Sequence, residues 1–148
     1  MRISRSIHAI FYPYLSVSML FAAVASARAE TPAALLAGYT AQAGTSAAPA
    51  RGQQFFTSRH GREWSCASCH GSTPTGQGRH VVTGKAIEPL APAFNPARFT
   101  DAARSEARFT DAARSEKWFR RNCKDVVGRE CSAAEKADVL SWLMSLKP

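Results

Sequence analysis

The sequence predicts an all-α fold in which helices are separated by long loops, and three observations predict it. Ser132-Ala133-Ala134-Glu135 is a capping box, after which Ala137, Leu140, Leu143, Met144 and Lys147 recur at helical spacing, with Trp142 and Leu146 widening the apolar face. Thr31-Pro32 opens an alanine- and leucine-rich run to Ala43, with proline where a helix start accepts it. No stretch alternates apolar and polar residues as a half-buried strand would.

The elements follow in order. Arg2 and Arg5 precede an apolar run from about Ile10 to Val24, and Ala27-Arg28-Ala29 is a small-x-small cleavage site. This is the pattern of a signal peptide over residues 1–29, cleaved after Ala29, and it leaves 30–148 as one small exported domain. Tyr12, Pro13 and Tyr14 interrupt the run and argue against a permanent span; an uncleaved anchor is the alternative. No later segment is apolar enough to cross a bilayer. The first helix spans Thr31 to Ala43, and Gly44 to Pro49 reads as a linker. A second helical stretch, Ala50 to about Ser58, carries Phe55 and Phe56 toward the most informative run of the chain.

That run is Cys66-Ala67-Ser68-Cys69-His70. A Cys-x-x-Cys-His sequence reads as covalent attachment of one c-type haem. Two thiolates add across the porphyrin vinyl groups, and the adjacent imidazole becomes an axial iron ligand. The rival is half of a zinc site. It would need two further ligands, and Cys123 and Cys131 have seven residues between them, more than a zinc pair usually allows. Attachment of this kind takes place outside the bacterial cytoplasm, so the expected compartment is the periplasm. In an oxidising compartment the even remainder, Cys123 and Cys131, predicts one disulfide. Its short loop gives it about 2–3 kcal/mol of entropic stabilisation.

Gly71 to Pro96 is rich in Gly, Pro and Thr, lacks periodicity and reads as loop. The chain carries a net charge of +8, and loss of Arg2, Arg5 and Arg28 with the signal peptide brings it to +5. A moderately basic periplasmic protein can be steered toward an acidic redox partner, although a merely soluble surface has the same charge. Nucleic acid is excluded as a partner by compartment and by the lack of a basic tract.

Ala97 to Glu106 is repeated residue for residue as Ala107 to Glu116. Two copies make no solenoid. Ten residues turn a helix by about 1000°, about 80° short of three full turns. An insertion inside a helix would rotate everything on one side of it. The first copy is therefore expected to be displaced outward as an extra turn or loop.

The second axial ligand is the open question. The one methionine beyond residue 29, Met144, lies at core spacing in the last helix, so histidine–methionine ligation is disfavoured. His60 reads as a surface or helix-end residue. His80, in the loop, is a rival ligand whose preferred reading is a hydrogen bond to a haem propionate or to backbone. Asn95 precedes Pro96 and suits a turn. Asn122 adjoins Cys123 and hence a rigid mount; spacing leaves it evenly divided between a weak iron ligand and a helix C-terminal cap.

The runs Gly76-x-Gly78-x-His80, Thr83-Gly84-Lys85-x-Ile87-Glu88-Pro89-Leu90-Ala91-Pro92 and Asn95-Pro96-x-Arg98-Phe99-Thr100-Asp101 resemble the SHP-type (sphaeroides haem protein) class I cytochromes c. So do Glu116-Lys117-Trp118-Phe119-Arg120-Arg121-Asn122-Cys123 and Gly128-Arg129-Glu130-Cys131. The related cytochrome c'' has the same layout. The resemblance covers nearly all of the chain beyond residue 29. It implies a class I cytochrome c fold wrapped around one covalent haem c, with His70 proximal and Asn122 distal on the iron. It also makes Phe99 and Phe109 competitors for one position, and Phe109 is preferred. The duplicated decamer is the departure from the family layout.

An asparagine amide is a weak, hard donor, expected to hold ferric iron and to leave the softer ferrous ion. The expected function is electron transfer, with ferrous haem open to oxygen, nitric oxide or carbon monoxide. The partners the resemblance implies are a dihaem cytochrome c and a membrane cytochrome b. The alternative is an enzyme that oxidises or detoxifies a diatomic gas such as nitric oxide. No distal acid–base pair is evident, which favours the carrier.

Overall fold

The computed structural model describes residues 31–97 and 109–148. The signal peptide, its cleavage at Ala29 and the displacement expected of the first decamer copy therefore lie outside the described residues.

Helix α1 (Pro32–Ala43) starts at Thr31, whose hydroxyl accepts from the Ala34 N–H at 3.1 Å. Helix α2 (Pro49–Thr57) begins one residue earlier than expected, because the fixed φ of Pro49 suits a first helical position. The expected capping box forms at the last helix, α5 (Ala133–Ser145). There the Ser132 hydroxyl accepts from the Glu135 N–H at 3.2 Å, and the Glu135 carboxylate accepts from the Ser132 N–H at 2.7 Å. These three helices pack together around Leu35, Tyr39, Phe56, Ala137, Val139, Leu140, Trp142 and Leu143. Met144 packs on the edge of this core, in the role its spacing predicts.

The α2–α5 crossing is set by Gly52. A Cβ on this residue would overlap the main chain of Asp138, so the two helices approach as closely as a bare backbone permits. One turn on, the Phe56 ring lies 5.0 Å from that of Trp142. Asp138 is buried and accepts from the Ala48 N–H at 2.6 Å, from Arg51 Nε at 2.7 Å and from Arg51 Nη2 at 2.9 Å. Ala48 is the N-cap of α2 and has no side chain to cap with, so α5 supplies the capping carboxylate.

Helix α4 (Ala112–Val126) starts at Asp111, whose carboxylate accepts from the Arg114 N–H at 2.9 Å. Side chains, rather than close helix–helix packing, hold it to the other three helices. Phe119 meets Tyr39 edge-on at 5.8 Å, and Lys136 Nζ donates to Glu116 Oε2 at 2.7 Å. Cys123 and Cys131 form the expected disulfide, with Cα atoms 5.7 Å apart. Val127 packs with this cystine, flanked by Phe55 and Phe119. Burial pushes the Glu116 carboxyl upward. Hydrogen bonds from Lys136 and Tyr39, with the charges of Lys136 and Arg120, outweigh it and hold the group below the usual carboxylate range. Phe109 sits in the main core, while Phe99 lies outside the described residues.

The segment read as loop contains a two-residue antiparallel ladder, β1 (Gly78–Arg79) with β2 (Ala86–Ile87), and a 3-10 turn at Pro92–Phe94. Two residues are too few to leave an alternating pattern in sequence, and the fold remains all-α in class. The Pro74 carbonyl accepts from both Leu90 and Ala91 N–H at 3.1 and 3.0 Å, which fastens the far end of the loop. Among the described residues no helix is long and apolar enough to cross a membrane.

A candidate haem-attachment site

Cys66–His70 forms a helix of its own, α3, entered from buried Ser65. The Ser65 N–H donates to Ser68 Oγ at 3.0 Å, and the two hydroxyls lie 3.3 Å apart, which holds this short turn. At about 100° per residue, Cys66 and Cys69 lie on one face and His70 follows one turn after Cys66. Both cysteines are free and half-buried. Burial pushes the Cys66 thiol up to about 11, its own backbone hydrogen bond opposes this, and neighbouring Cys69 adds to it.

Two contacts place α3. The ring of His70 lies 6.0 Å from that of Phe56, so the core stands behind the imidazole. On the other side, β1 runs against α3 at Gly78, where a Cβ would overlap the Cys69 carbonyl. Gly76, two residues earlier, has open space around it. The Gly76-x-Gly78 spacing is thus a signal of close backbone approach at its second position only.

The remaining candidates separate by their partners. The zinc reading fails because Cys123 and Cys131 are bonded to each other, and among the described residues no three metal-ligating side chains gather. His60 Nε2 lies 2.8 Å from the Phe55 carbonyl, at the end of α2. His80 ties the hairpin turn: Nδ1 accepts from the Val82 and Thr83 N–H groups at 3.3 and 3.2 Å. The backbone hydrogen bond preferred for it is thus present. Asn95 Nδ2 donates to the Pro89 carbonyl at 3.3 Å, a turn role. Asn122 is exposed and lies inside α4, next to buried Cys123; the C-cap is Val127, five residues on. The capping alternative for Asn122 therefore does not hold.

The cytochrome c-type protein SHP of Cereibacter sphaeroides is 44% identical over 134 residues, covering 88% of this chain and 95% of that protein. The chain belongs to the SHP-type cytochromes c. The solved structure of oxidised SHP, described as an oxygen-binding cytochrome c, matches with a TM-score of 0.69, covering 80% of this chain and all of that one. Oxidised cytochrome c'' of Methylophilus methylotrophus matches at 32% identity with a TM-score of 0.63, covering 79% and 95%. A family described as a domain of unknown function, DUF1924, matches residues 41–110 and 103–143. The overlap of its two matches falls where one decamer copy ends and the next begins.

The cofactor of an SHP-type cytochrome c is covalent haem c, and the residues present fit it. Two free thiols stand one helical turn apart, a histidine follows, and a bare glycine backbone lets the loop close against them. Gly52 and the Asp138–Arg51 pair, which position this site, stood out in no sequence pattern.

Proposed function

We propose that this chain is a periplasmic monohaem cytochrome c that carries electrons and, once reduced, takes up a diatomic gas. Haem c supplies the one-electron couple and, as the ferrous form, the gas-binding position. Cys66 and Cys69 hold it through thioethers. His70, backed by Phe56, would hold the iron strongly. Asn122 would hold it weakly, its neutral amide being suited to ferric iron and poorly suited to ferrous iron, which it would leave on reduction. The single observation that carries this reading is the place of Asn122, inside a helix and beside the cystine, where no cap or turn requires an asparagine. Two solved relatives lend support to the gas-binding and ligand-release parts of the reading, one described as oxygen-binding and another studied for haem-ligand detachment. Redox-partner cytochromes, a dihaem cytochrome c and a membrane cytochrome b among them, are the proposed electron donors.

Asn122→Val tests the assignment. The ferric spectrum should become high-spin or water-ligated, with the fold intact by circular dichroism. An unchanged ferric spectrum would remove Asn122 and promote His80. In the unaltered protein, a ferrous haem that stays six-coordinate and low-spin without added gas would sink the detachment.

A further inference from the structure

Helix α4 carries more than the proposed ligand. Lys117, Arg120, Arg121 and Lys124 are all exposed and fall within about 100° of its circumference. Trp118 and Asp125 border this arc on one side and Glu116 on the other. Glu116 is engaged by Lys136 across to α5. Among the described residues no ion pair engages Lys117, Arg121 or Lys124. The Arg121 guanidinium lies 5.7 Å over the Trp118 ring, which stands between the basic arc and Asn122.

An ordinary solvated helix face interleaves both signs of charge. Four cations without an acid among them repel one another, and an anionic surface would relieve that repulsion. No large exposed apolar side chain accompanies them. Among the described residues the exposed ones, Val81 and Val82, sit on the hairpin instead, so this face lacks what inserts into a bilayer. A folded acidic surface with fixed carboxylates fits it better.

We propose that the basic face of α4 docks an acidic redox-partner protein, beside the helix edge that carries Asn122. The inference rests on the electron-carrying part of the proposed function. It is tested on the haem-loaded protein by calorimetric titration with a plant-type [2Fe–2S] ferredoxin, a strongly acidic redox protein, at low ionic strength. Both proteins are oxidised, so binding is read without electron transfer; a dithionite-reduced spectrum checks the haem reading separately. The triple variant K117E/R121E/K124E should bind at least tenfold more weakly. The triple variant R59E/K85E/K147E, with the same change of net charge at exposed sites elsewhere, should lose less than threefold. Equal losses in the two variants would overturn the docking face in favour of net charge alone, and so would no binding by the unaltered protein. Co-sedimentation with phosphatidylglycerol vesicles at 0.15 M salt, lost only in the α4 variant and without ferredoxin binding, would overturn it in favour of a lipid surface.

Discussion

The α2–α5 crossing and helix α4 belong to the same small protein and are held by opposite means. At the crossing, two backbones meet over Gly52, aromatic rings fill the next turn, and a buried carboxylate closes the end of α2. Helix α4 is instead tied by discrete links, among them the Phe119–Tyr39 edge, the Glu116–Lys136 ion pair and the Cys123–Cys131 cystine. The difference separates two tasks. His70 needs a wall that does not yield, and α2 and α5 provide it through Phe56 and Trp142. On the proposed ligation, Asn122 would need a helix that can release it while remaining anchored next door.

The comparison can be broken most severely at Gly52. Gly52→Val drives side-chain atoms into the main chain of Asp138, and the loss should be about 3 kcal/mol or more. Thermal unfolding followed at the helical band should show it as one cooperative shift, because the whole three-helix group depends on that crossing. Removing the cystine by Cys123→Ser with Cys131→Ser should cost about 2–3 kcal/mol. The loss should be local: hydrogen exchange should quicken in α4 and leave α1, α2 and α5 near their original protection. Uniform acceleration would contradict the division drawn here.

Asp138→Ala removes the cap of α2 and the partner of Arg51, and should lower stability by about 1–2 kcal/mol in denaturant titrations. The smallest effect concerns pH. Arg129 pairs with Glu135 and, with the capping hydrogen bond from Ser132, holds that carboxyl below its usual range despite partial burial; Glu116 is also held low. A carboxyl whose folded value is depressed contributes stability above its unfolded value, about 4.3, and the contribution fades as pH falls through the folded value. Urea midpoints should therefore drop below about pH 4.5. Glu116→Gln should flatten part of that drop, since Glu116 links α4 to α5.

Much of this was legible in the chain. Ser132 and Glu135 announce a helix start because a capping box is local chemistry, and Cys66 to His70 announces haem because three residues in fixed order must reach one porphyrin. The cystine followed from counting sulfurs. The β1–β2 ladder was not legible, since two residues make no period. Nor was Asp138, which in sequence is one acid within an apolar helix; its role depends on Ala48 and Arg51, nearly ninety residues away.

The sequence by itself determined the cofactor, the class of fold and the pairing of Cys123 with Cys131, because each rests on covalent chemistry or on contacts within a few residues. Only the tertiary structure decided why Gly52 and Gly78 must be glycine, and that Asn122 is no helix cap. Those answers depend on which backbones pass within contact distance and where a helix ends, and neither is written in any local run of residues.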